Sequence, residues 1–418
     1  MITNLEQYVA IAGLDWADKK HDICLFDKAT NKASYFVIQH SPESIEAWLG
    51  EIQAKYPNGR IAICIELSKG PIISALLNYD FIDIFPINPK TLSKYREAFS
   101  TSGSKNDPVD AFLQMDFLYR HSDRLKKLKP DSPEMRSLNQ MVIQCRSLVE
   151  DKVRITNSLT ATLKSYFPQA LDWFIDKDTM VFCDFIERWP TLEQAKRAHK
   201  KSIREFFIEH KSYRGDVIER RIKSIEEATP LTKDAGIIEP SLILVKVRIK
   251  QLKLLLDAIK NYDKEIAARF QTFEDYEIFN SLPGAGPKLA PRLLVAFGSQ
   301  RDKYKSADEI SRYIGVAPVT IASGQSSYVR WRYSAPVFLR QTIVEWAGQT
   351  IKYSFWARAY YEQQRMAGKK HHTAIRSLSF KWIRILFRCW KNRERYNEAT
   401  YLIALQKRQS TLLKTFAQ

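Results

Sequence analysis

Cysteine is scarce and scattered in this sequence. The 418 residues include five cysteines, and no two of them form a Cys-x-x-Cys pair. That spacing argues against a structural zinc site and against a framework of disulfide bonds. Cys24 and Cys64 lie inside apolar runs, where cysteine usually serves as a small core residue.

Long apolar runs are missing as well. No segment reaches the roughly 18 consecutive apolar residues that a membrane-spanning helix needs. The N-terminal segment carries Glu6 and shows no secretory pattern, and no internal repeat is evident. We therefore expect a cytoplasmic protein that does not span a membrane.

Acidic residues are too few to balance the basic ones. The sequence has 65 Lys and Arg against 47 Asp and Glu, a formal net charge of +18. A solvated surface needs no such excess, whereas a polyanionic partner favours it. Nucleic acid is the first candidate and an anionic membrane surface the second, and a basic enzyme unrelated to either stays open. The hydrophobic share of 45% excludes wholesale disorder, and the length predicts two or three domains.

The first 125 residues alternate between predicted strands and helices. A helix is predicted after Ser41, which can cap it, and another at 71–77. Strands are predicted at 8–14, 21–26, 33–39, 60–66 and 81–87. Three strands followed by helix, strand, helix and strand is the order of an α/β RNase H-like (RuvC-like) domain, although other α/β folds begin in the same way. We predict such a catalytic domain for residues 1–125.

Residues 126–275 have the spacing of long helices. One apolar stripe has a 4-3-4 step and a longer one follows heptads that Asp263 interrupts; their members are Leu138, Val142, Cys145 and Val149, then Leu242, Val245, Ile249, Leu252, Leu256, Ile259 and Ile266. Heptads indicate a coiled coil or a helical hairpin. The stretch at 168–235 between the stripes is predicted to be helical and highly charged, without a chemical motif. A third, mainly α-helical domain is predicted at 276–418, and its last part is rich in Arg, Lys and aromatic residues.

Four acidic residues lie at predicted strand ends and at a helix start. Asp15 and Glu66 end two strands, while Asp107 and Asp110 flank a Pro that favours the beginning of a helix. If the four converge, their mutual repulsion is relieved by divalent cations, and oxygen ligands alone select Mg²⁺ or Mn²⁺. Two such ions about 4 Å apart can activate an attacking group and stabilise a leaving oxygen at phosphorus.

Each acid alone also has an ordinary explanation. Asp107 and Asp110 could cap a helix and complement its dipole, and Glu66 could be an ion-pair partner. Together, in the RNase H-like strand order, the four acids favour a metal site.

A serine beside a glycine lies in the basic third region. Ser323-Gly324 is followed by Arg330, Arg332 and Arg340, and arginine can hold phosphate oxygens bidentately. A serine hydroxyl is a poor nucleophile without a base, and no His lies nearby in the sequence. A metal ion or a carboxylate of the first domain would have to activate it. On these residues alone, an ordinary turn is the commoner explanation.

A second glycine motif, Leu282-Pro-Gly-Ala-Gly286, lies between apolar helical runs. It resembles a helix-hairpin-helix turn, in which Gly284 and Gly286 would let backbone N–H groups approach a DNA phosphate. An ordinary tight turn explains it equally well. Lys105 and Lys288, which lie beside the acidic pair and this turn, complete the predicted nucleic-acid contacts.

In this order, the motifs resemble the DEDD transposases of insertion-sequence family 110, relatives of the Piv/MooV DNA invertases. The resemblance covers residues 8–165 and 240–395. The matching stretches are Ile11-Ala-Gly-Leu-Asp15, Ile65-Glu66 with Gly70, Lys105-Asn-Asp-Pro-Val-Asp-Ala111, Leu282-Pro-Gly-Ala-Gly286, and Ala317-Pro318 with Ser323-Gly324.

The resemblance implies a chemistry for these residues. Asp15, Glu66, Asp107 and Asp110 would form a RuvC-like Mg²⁺ (or Mn²⁺) site. Ser323 would attack a DNA phosphate and become covalently attached to it.

The resemblance also implies partners. A non-coding bridge RNA would pair with donor and target DNA, so that base pairing chooses the sequence. The protein would act as a homo-oligomer, a dimer and then a tetramer in the synaptic complex, in which one chain's carboxylates serve another chain's serine. The helical middle would supply oligomer contacts, and the protein would be bacterial or archaeal and nucleoid-associated.

Two departures from the family pattern stand out. Leu67-Ser-Lys-Gly70 replaces a common Thr-Gly pair after the glutamate, so substrate or metal contacts there can differ. The chain is also longer than usual, mostly in 168–235, which affects the RNA-binding surface and oligomer geometry more than the chemistry.

Two other functions stay open on the sequence. A structure-specific nuclease of the Holliday-junction type would use the carboxylates and water, without Ser323. A nucleic-acid-binding protein with a dead catalytic site would need none of the acids, and the intact set of four argues against it.

Overall fold

The computed structural model describes residues 5–99, 107–324, 326–330, 332–333, 335–410 and 412, apart from the side chain of Asp107. The chain forms two compact units, Met1–Pro130 and Asp131–Gln418. None of the described helices combines the length and the apolarity that a membrane crossing requires.

The first unit is a mixed α/β fold built on one five-stranded sheet. After a 3₁₀ turn at Leu5–Gln7, its elements are β1 Tyr8–Trp16, β2 Lys20–Asp27, β3 Lys32–Gln39, α1 Pro42–Lys55, β4 Arg60–Ile65, α2 Pro71–Leu76, β5 Ile82–Pro86, α3 Pro89–Glu97 and α4 Asp107–Arg120. The strand order across the sheet is β3-β2-β1-β4-β5. The first three strands are antiparallel, and β4 and β5 continue parallel to β1.

This order confirms the predicted sequence of strands and helices and is consistent with an RNase H-like fold. The predicted cap is also present, because the Ser41 side chain accepts a hydrogen bond from the Ser44 N–H at 3.2 Å. The apolar residues of β1 and β4 are buried on both sides of the sheet, as expected for parallel strands covered by helices. One face packs against α1 and α2, and the other face packs against α3 and α4.

Two long helices open the second unit. They are α5 Pro133–Tyr166 and α11 Ala235–Gln271. Met135 near the start of α5 shares a core with Phe270 at the end of α11, while Leu163 shares a core with Val245. The two helices are therefore antiparallel, as in the helical hairpin that was one of the two predicted arrangements. The other, a coiled coil, stays a prediction.

Five short helices fill the charged stretch at 168–235. They are α6 Gln169–Trp173, α7 Met180–Arg188, α8 Leu192–Arg197, α9 Lys200–Glu209 and α10 Gly215–Glu227. Their apolar faces form an aromatic core with the ends of α5 and α11. The prediction of helices there is confirmed. The sequence analysis did not predict the aromatic core, because charged residues dominate the composition of this stretch.

The remainder of the second unit is mainly helical, as predicted. Its elements are α12 Tyr276–Asn280, α13 Gly286–Phe297, α14 Ala307–Ile314, β6 Val319–Ser323, β7 Ser326–Arg330, α15 Val337–Tyr353, α16 Phe355–Met366, α17 His371–Asn392 and α18 Glu398–Lys407. Trp346, Trp356, Trp382 and Trp390 are almost completely buried in its core. The antiparallel hairpin of β6 and β7 is an element that the sequence analysis did not predict. The predicted division into domains 1–125, 126–275 and 276–418 stays a prediction.

Candidate active site

Two of the four predicted acids lie side by side at one edge of the sheet. The parallel register of β1 and β4 pairs Leu14 with Ile65. Asp15 and Glu66 are the residues that come directly after this pair. They therefore lie next to each other at the carboxyl end of the β1–β4 ladder. In parallel sheets this edge is where ligands bind.

Asp15 and Glu66 also point to the same face of the sheet. Ile11 and Cys64 pack in the core beneath α4, and Asp15 and Glu66 follow them by even numbers of residues, which keeps a strand side chain on one face. Burial, and after it the negative charge of Glu66, raise the pKa of the Cys64 thiol. This effect agrees with a Glu66 carboxylate on that face.

Helix α4 carries the third acid to the same face because Gly13 lets it come close. A Cβ atom on Gly13 would collide with the Ala111 carbonyl oxygen and lie 2.5 Å from the Met115 nitrogen. Only glycine accommodates that approach. Asp110 precedes Ala111 by one residue, so the contact brings the first turn of α4 close to the strand that bears Asp15.

Asp110 is held by an arginine. Its side chain is almost fully buried, its Oδ1 atom accepts a hydrogen bond from Nε of Arg96 at 2.7 Å, and Nη2 of the same guanidinium forms an ion pair with it at 2.6 Å. Arg96 lies at the end of α3. The guanidinium neutralises a carboxylate that would be costly to bury alone, and any ion that uses Asp110 must share this carboxylate with Arg96 or displace it.

A further carboxylate near Asp15 was missed by the sequence analysis. The antiparallel register of β1 and β2 pairs Asp15 with Asp22, and directly opposed residues share a face with their Cβ atoms about 5 Å apart. Asp22 is 5% exposed and receives a hydrogen bond from Lys20 at 3.0 Å. The sequence carried a signal for Asp22. The short turn between β1 and β2 fixes the register of the two strands, and this register places Asp22 opposite Asp15.

The carboxylates fit a hard divalent cation by their chemistry, since oxygen ligands are what Mg²⁺ and Mn²⁺ prefer. Within the described part of the chain, no three side chains of His, Cys, Asp or Glu are gathered closely enough to hold one ion. Asp107 begins α4, but its side chain lies outside the described residues, as does the whole of Lys105. The roles of all four acids therefore stay predictions.

Ser323 ends β6 at the tip of the hairpin and is exposed to solvent. It pairs with Ser326 across the hairpin. Gly324 follows with φ of 56° and has open space where a Cβ would lie, so the positive φ rather than crowding requires glycine there. The hydroxyl is presented at an accessible edge of this unit.

The segment that follows the hairpin is anchored to α15. Nη1 of Arg340 donates a hydrogen bond to the carbonyl oxygen of Arg332 at 2.8 Å. A Cβ on Gly315 would collide with Ala335, which shows how closely the flanking segments pack. Arg330 is exposed at the end of β7. The Nε atom of Arg332 is buried and has no hydrogen-bond partner among the described residues.

The predicted helix-hairpin-helix turn lies between α12 and α13. Gly284 has φ of 69°, and a Cβ there would lie 2.9 Å from Cδ2 of Tyr353, so packing and backbone both require glycine. Gly286 has φ of 54° with open space around it. Lys288 is exposed and forms an ion pair with Asp263 at 3.1 Å. A phosphate contact at this turn stays a prediction.

Two family models match the chain. A model of IS110-type DEDD transposases, described as "Transposase", matches residues 12–168. A model described as the transposase IS116/IS110/IS902 family matches residues 276–362. The first span contains the four predicted acids, and the second contains Ser323.

Three curated relatives are similar over different lengths. A mini-circle transposase for IS117 of Streptomyces coelicolor is 25% identical over 94% of this chain and 96% of its own. A 44.8 kDa protein of insertion element IS116 of Streptomyces clavuligerus is 25% identical over 81% and 84%. The transposase y4uE of Sinorhizobium fredii is 27% identical over 50% and 59%. The chain belongs to the IS110 family of DEDD transposases, enzymes that cut and rejoin DNA.

Proposed function

We propose that this transposase exchanges DNA strands in a reaction that requires divalent metal and passes through a covalent serine–DNA intermediate. One observation carries the proposal: Asp15 and Glu66 directly follow the paired residues Leu14 and Ile65 of adjacent parallel strands, on the face covered by α4, the helix that contains Asp110. Acids from three elements at one sheet edge are the arrangement that phosphoryl transfer with metal ions needs.

Ser323 would carry the strand. Its Oγ attacks a DNA phosphorus, the Oγ–P bond forms, and the bond from phosphorus to one deoxyribose oxygen breaks to leave a free hydroxyl. The serine proton passes to a carboxylate base. The hydroxyl of another strand then attacks the phosphoserine, which restores a phosphodiester and frees Ser323. Bonds are conserved throughout, so no external energy source is required.

The acids and arginines would divide the electrostatic work. A Mg²⁺ or Mn²⁺ ion held by Asp15, Glu66, Asp107 and Asp110 would stabilise negative charge on the phosphate oxygens. Arg96 keeps Asp110 fixed and neutralised.

The predicted nucleic-acid contacts lie elsewhere along the chain. Arg330 and Arg332, near the serine hairpin, are proposed to bind phosphates, with Arg340 anchoring the segment between them and α15. Gly284, Gly286, Lys288 and Lys105 are proposed as further DNA contacts.

Partners follow from the family resemblance. We propose a non-coding bridge RNA that pairs with donor and target DNA, and a homo-oligomer in which the carboxylates of one chain serve the serine of another. The antiparallel pair of α5 and α11 would supply oligomer contacts. Residues 1–125, 126–275 and 276–418 would be the catalytic, helical and serine-bearing domains.

The experiment compares Ser323→Ala with Asp15→Asn on DNA that carries the ends of the element. We expect both variants to lose strand exchange and cleavage while they still bind DNA, because binding depends on basic residues that neither change touches. A Holliday-junction nuclease would keep full cleavage in Ser323→Ala. Cleavage that survives in this variant contradicts the serine step.

The guide is tested by sequencing the nucleic acid that copurifies with the protein. A discrete small RNA, encoded beside the gene, is the expected result. Random fragments alone contradict the proposed RNA partner.

A further inference from the structure

We propose that Gln114 is a positioning residue that fixes the spacing of Asp15, Glu66 and Asp110. This inference rests on the proposed metal-dependent function and adds to it a residue that none of the predicted site motifs contains. Gln114 touches neither DNA nor a reacting atom in this role, and it acts through the two strands that carry the acids.

Gln114 lies at the centre of the interface between α4 and the sheet. It is completely buried and follows Asp110 by four residues, so the two side chains lie on the same face of α4. A buried primary amide has two donors and an acceptor, and leaving them unpaired costs about 1–3 kcal/mol. A glutamine at this apolar position therefore needs specific partners.

The partners of Gln114 are main-chain atoms of the two strands that bear the acids. With its amide nitrogen turned toward the sheet, the orientation that satisfies both acceptors, it donates to the carbonyl oxygen of Leu14 at 2.8 Å and to that of Cys64 at 2.9 Å. The Leu14 carbonyl is part of the peptide bond between Leu14 and Asp15. The Cys64 carbonyl lies two residues before Glu66.

One side chain thus spans β1 and β4 directly before both acids. A glutamine side chain reaches both carbonyls only because α4 lies against β1, and Gly13 makes this approach feasible, since a Cβ there would collide with Ala111. The same contact places Asp110 one helical turn from Gln114. In addition to the β1–β4 ladder and the apolar packing of α4, a single amide therefore links β1, β4 and α4.

The physical consequence concerns like charges. Asp15 and Glu66 are negative groups at adjacent strand ends, and their repulsion favours separation of the two chains where the ladder ends. The hydrogen bonds from Gln114 to the carbonyl oxygens of Leu14 and Cys64 oppose that separation. Residues that orient ligands in this way typically change metal affinity by about 10–100-fold when they are replaced.

The test measures Mn²⁺ binding by calorimetry on the full-length protein without DNA. Gln114→Met keeps the length of the side chain and removes both donors, and Gln114→Glu keeps its shape but, when ionised, cannot donate. We expect each variant to bind Mn²⁺ about tenfold more weakly or worse. Circular dichroism shows whether each variant folds. If one of the two Gln114 variants does not fold, the Mn²⁺ affinity of the other still tests the positioning role.

Leu118→Ala is the matched control for packing. Leu118 is also completely buried on α4, one turn beyond Gln114, and its truncation leaves a cavity but no lost donor. We expect it to lower the Tm and to change Mn²⁺ affinity by less than about twofold, since the energetic coupling between separate sites is small.

The outcomes separate this inference from the proposed function. If Asp15→Asn abolishes Mn²⁺ binding but both Gln114 variants bind as tightly as the wild type, the positioning role is wrong and the metal site stands. If the wild type binds no Mn²⁺, or Asp15→Asn binds it equally well, the metal site falls and the role of Gln114 falls with it.

Discussion

At the scale of single residues, Gly13 sets how closely α4 approaches β1. Gly13→Ala would place a methyl group 2.5 Å from the backbone nitrogen of Met115 and in collision with Ala111. Backbone atoms cannot move aside as a flexible side chain can, so we expect a loss of about 3 kcal/mol in the free energy of unfolding. Urea denaturation measures it.

Gly50→Ala is the matched control for this substitution. Gly50 lies in α1 with no atom near the position of an added Cβ, and alanine is the better helix former by about 0.5–1 kcal/mol. We expect a small stabilisation. If Gly13→Ala were equally harmless, the close approach of α4 to β1 would be wrong.

His21 predicts a pH dependence of folding. The side chain is completely buried and its Nε2 lies 3.0 Å from Nδ1 of His40. Burial, and after it the His40 ring, lower the pKa of His21 to about 4, although the negative charge of Asp22 acts to raise it. The folded pKa lies below the unfolded value of about 6.5, so the unfolded state binds more protons between these values, and stability falls as the pH falls through this window.

The size of this effect is on the order of 2 kcal/mol between pH 7 and pH 4.5. Urea denaturation at the two pH values measures it, and His21→Gln removes the titrating group. We expect the slope of stability against pH to flatten in the variant, whatever its absolute stability. An unchanged slope would show that His21 does not titrate in this way.

At the scale of elements, the sequence predicts what depends on local periodicity. The strands of the first unit were predicted from short, mostly apolar runs, and the long stripes of α5 and α11 from apolar residues that repeat with a period of 3.5 to 3.6. The hairpin of β6 and β7 was missed, because its exposed residues leave no buried face to generate an alternating pattern. Its β-branched residues around Ser323-Gly324 were the available signal.

The site residues divide in the same way. Asp15, Glu66 and Asp110 were predicted as site residues from strand ends and a helix start, and their roles stay predictions. Arg96 and Gln114 were not predicted, since their roles depend on contacts between α3, α4 and the sheet that no local pattern encodes. Such contacts need the register and the packing distance, which tertiary structure supplies.

We expect helix α17 to contribute to DNA binding. It contains no acidic residue, and Arg384 and Arg388 are exposed on it, one turn apart. Replacing both with Gln should weaken binding to DNA of any sequence and lower the salt dependence of the binding constant by about two phosphate contacts. Fluorescence anisotropy over a range of salt concentrations measures both quantities.

Arg204→Gln is the matched control on charge. Arg204 is exposed, but its guanidinium is already paired with Glu219 at 2.6 Å, so we expect its loss to leave the salt dependence unchanged. If the α17 variant and this control behaved alike, a DNA-binding role for α17 would be wrong.

At the scale of the whole molecule, the proposed function would divide two tasks between the two units. The first unit carries the acids, on a sheet whose edge is set by strand register, Gly13 and Arg96. The second carries Ser323 on an exposed hairpin, together with the long helices and the aromatic core. The net charge of +18 suits a protein whose two tasks are both performed on nucleic acid.

The measurement that tests this division most directly is peptide mapping of the covalent protein–DNA product formed with Mg²⁺ on a nicked substrate that traps the intermediate. We expect one modified peptide, which carries a nucleotide on Ser323, and none with Asp15→Asn or after chelation of the metal. Cleaved DNA with no protein attached, or a nucleotide on another residue, would contradict it.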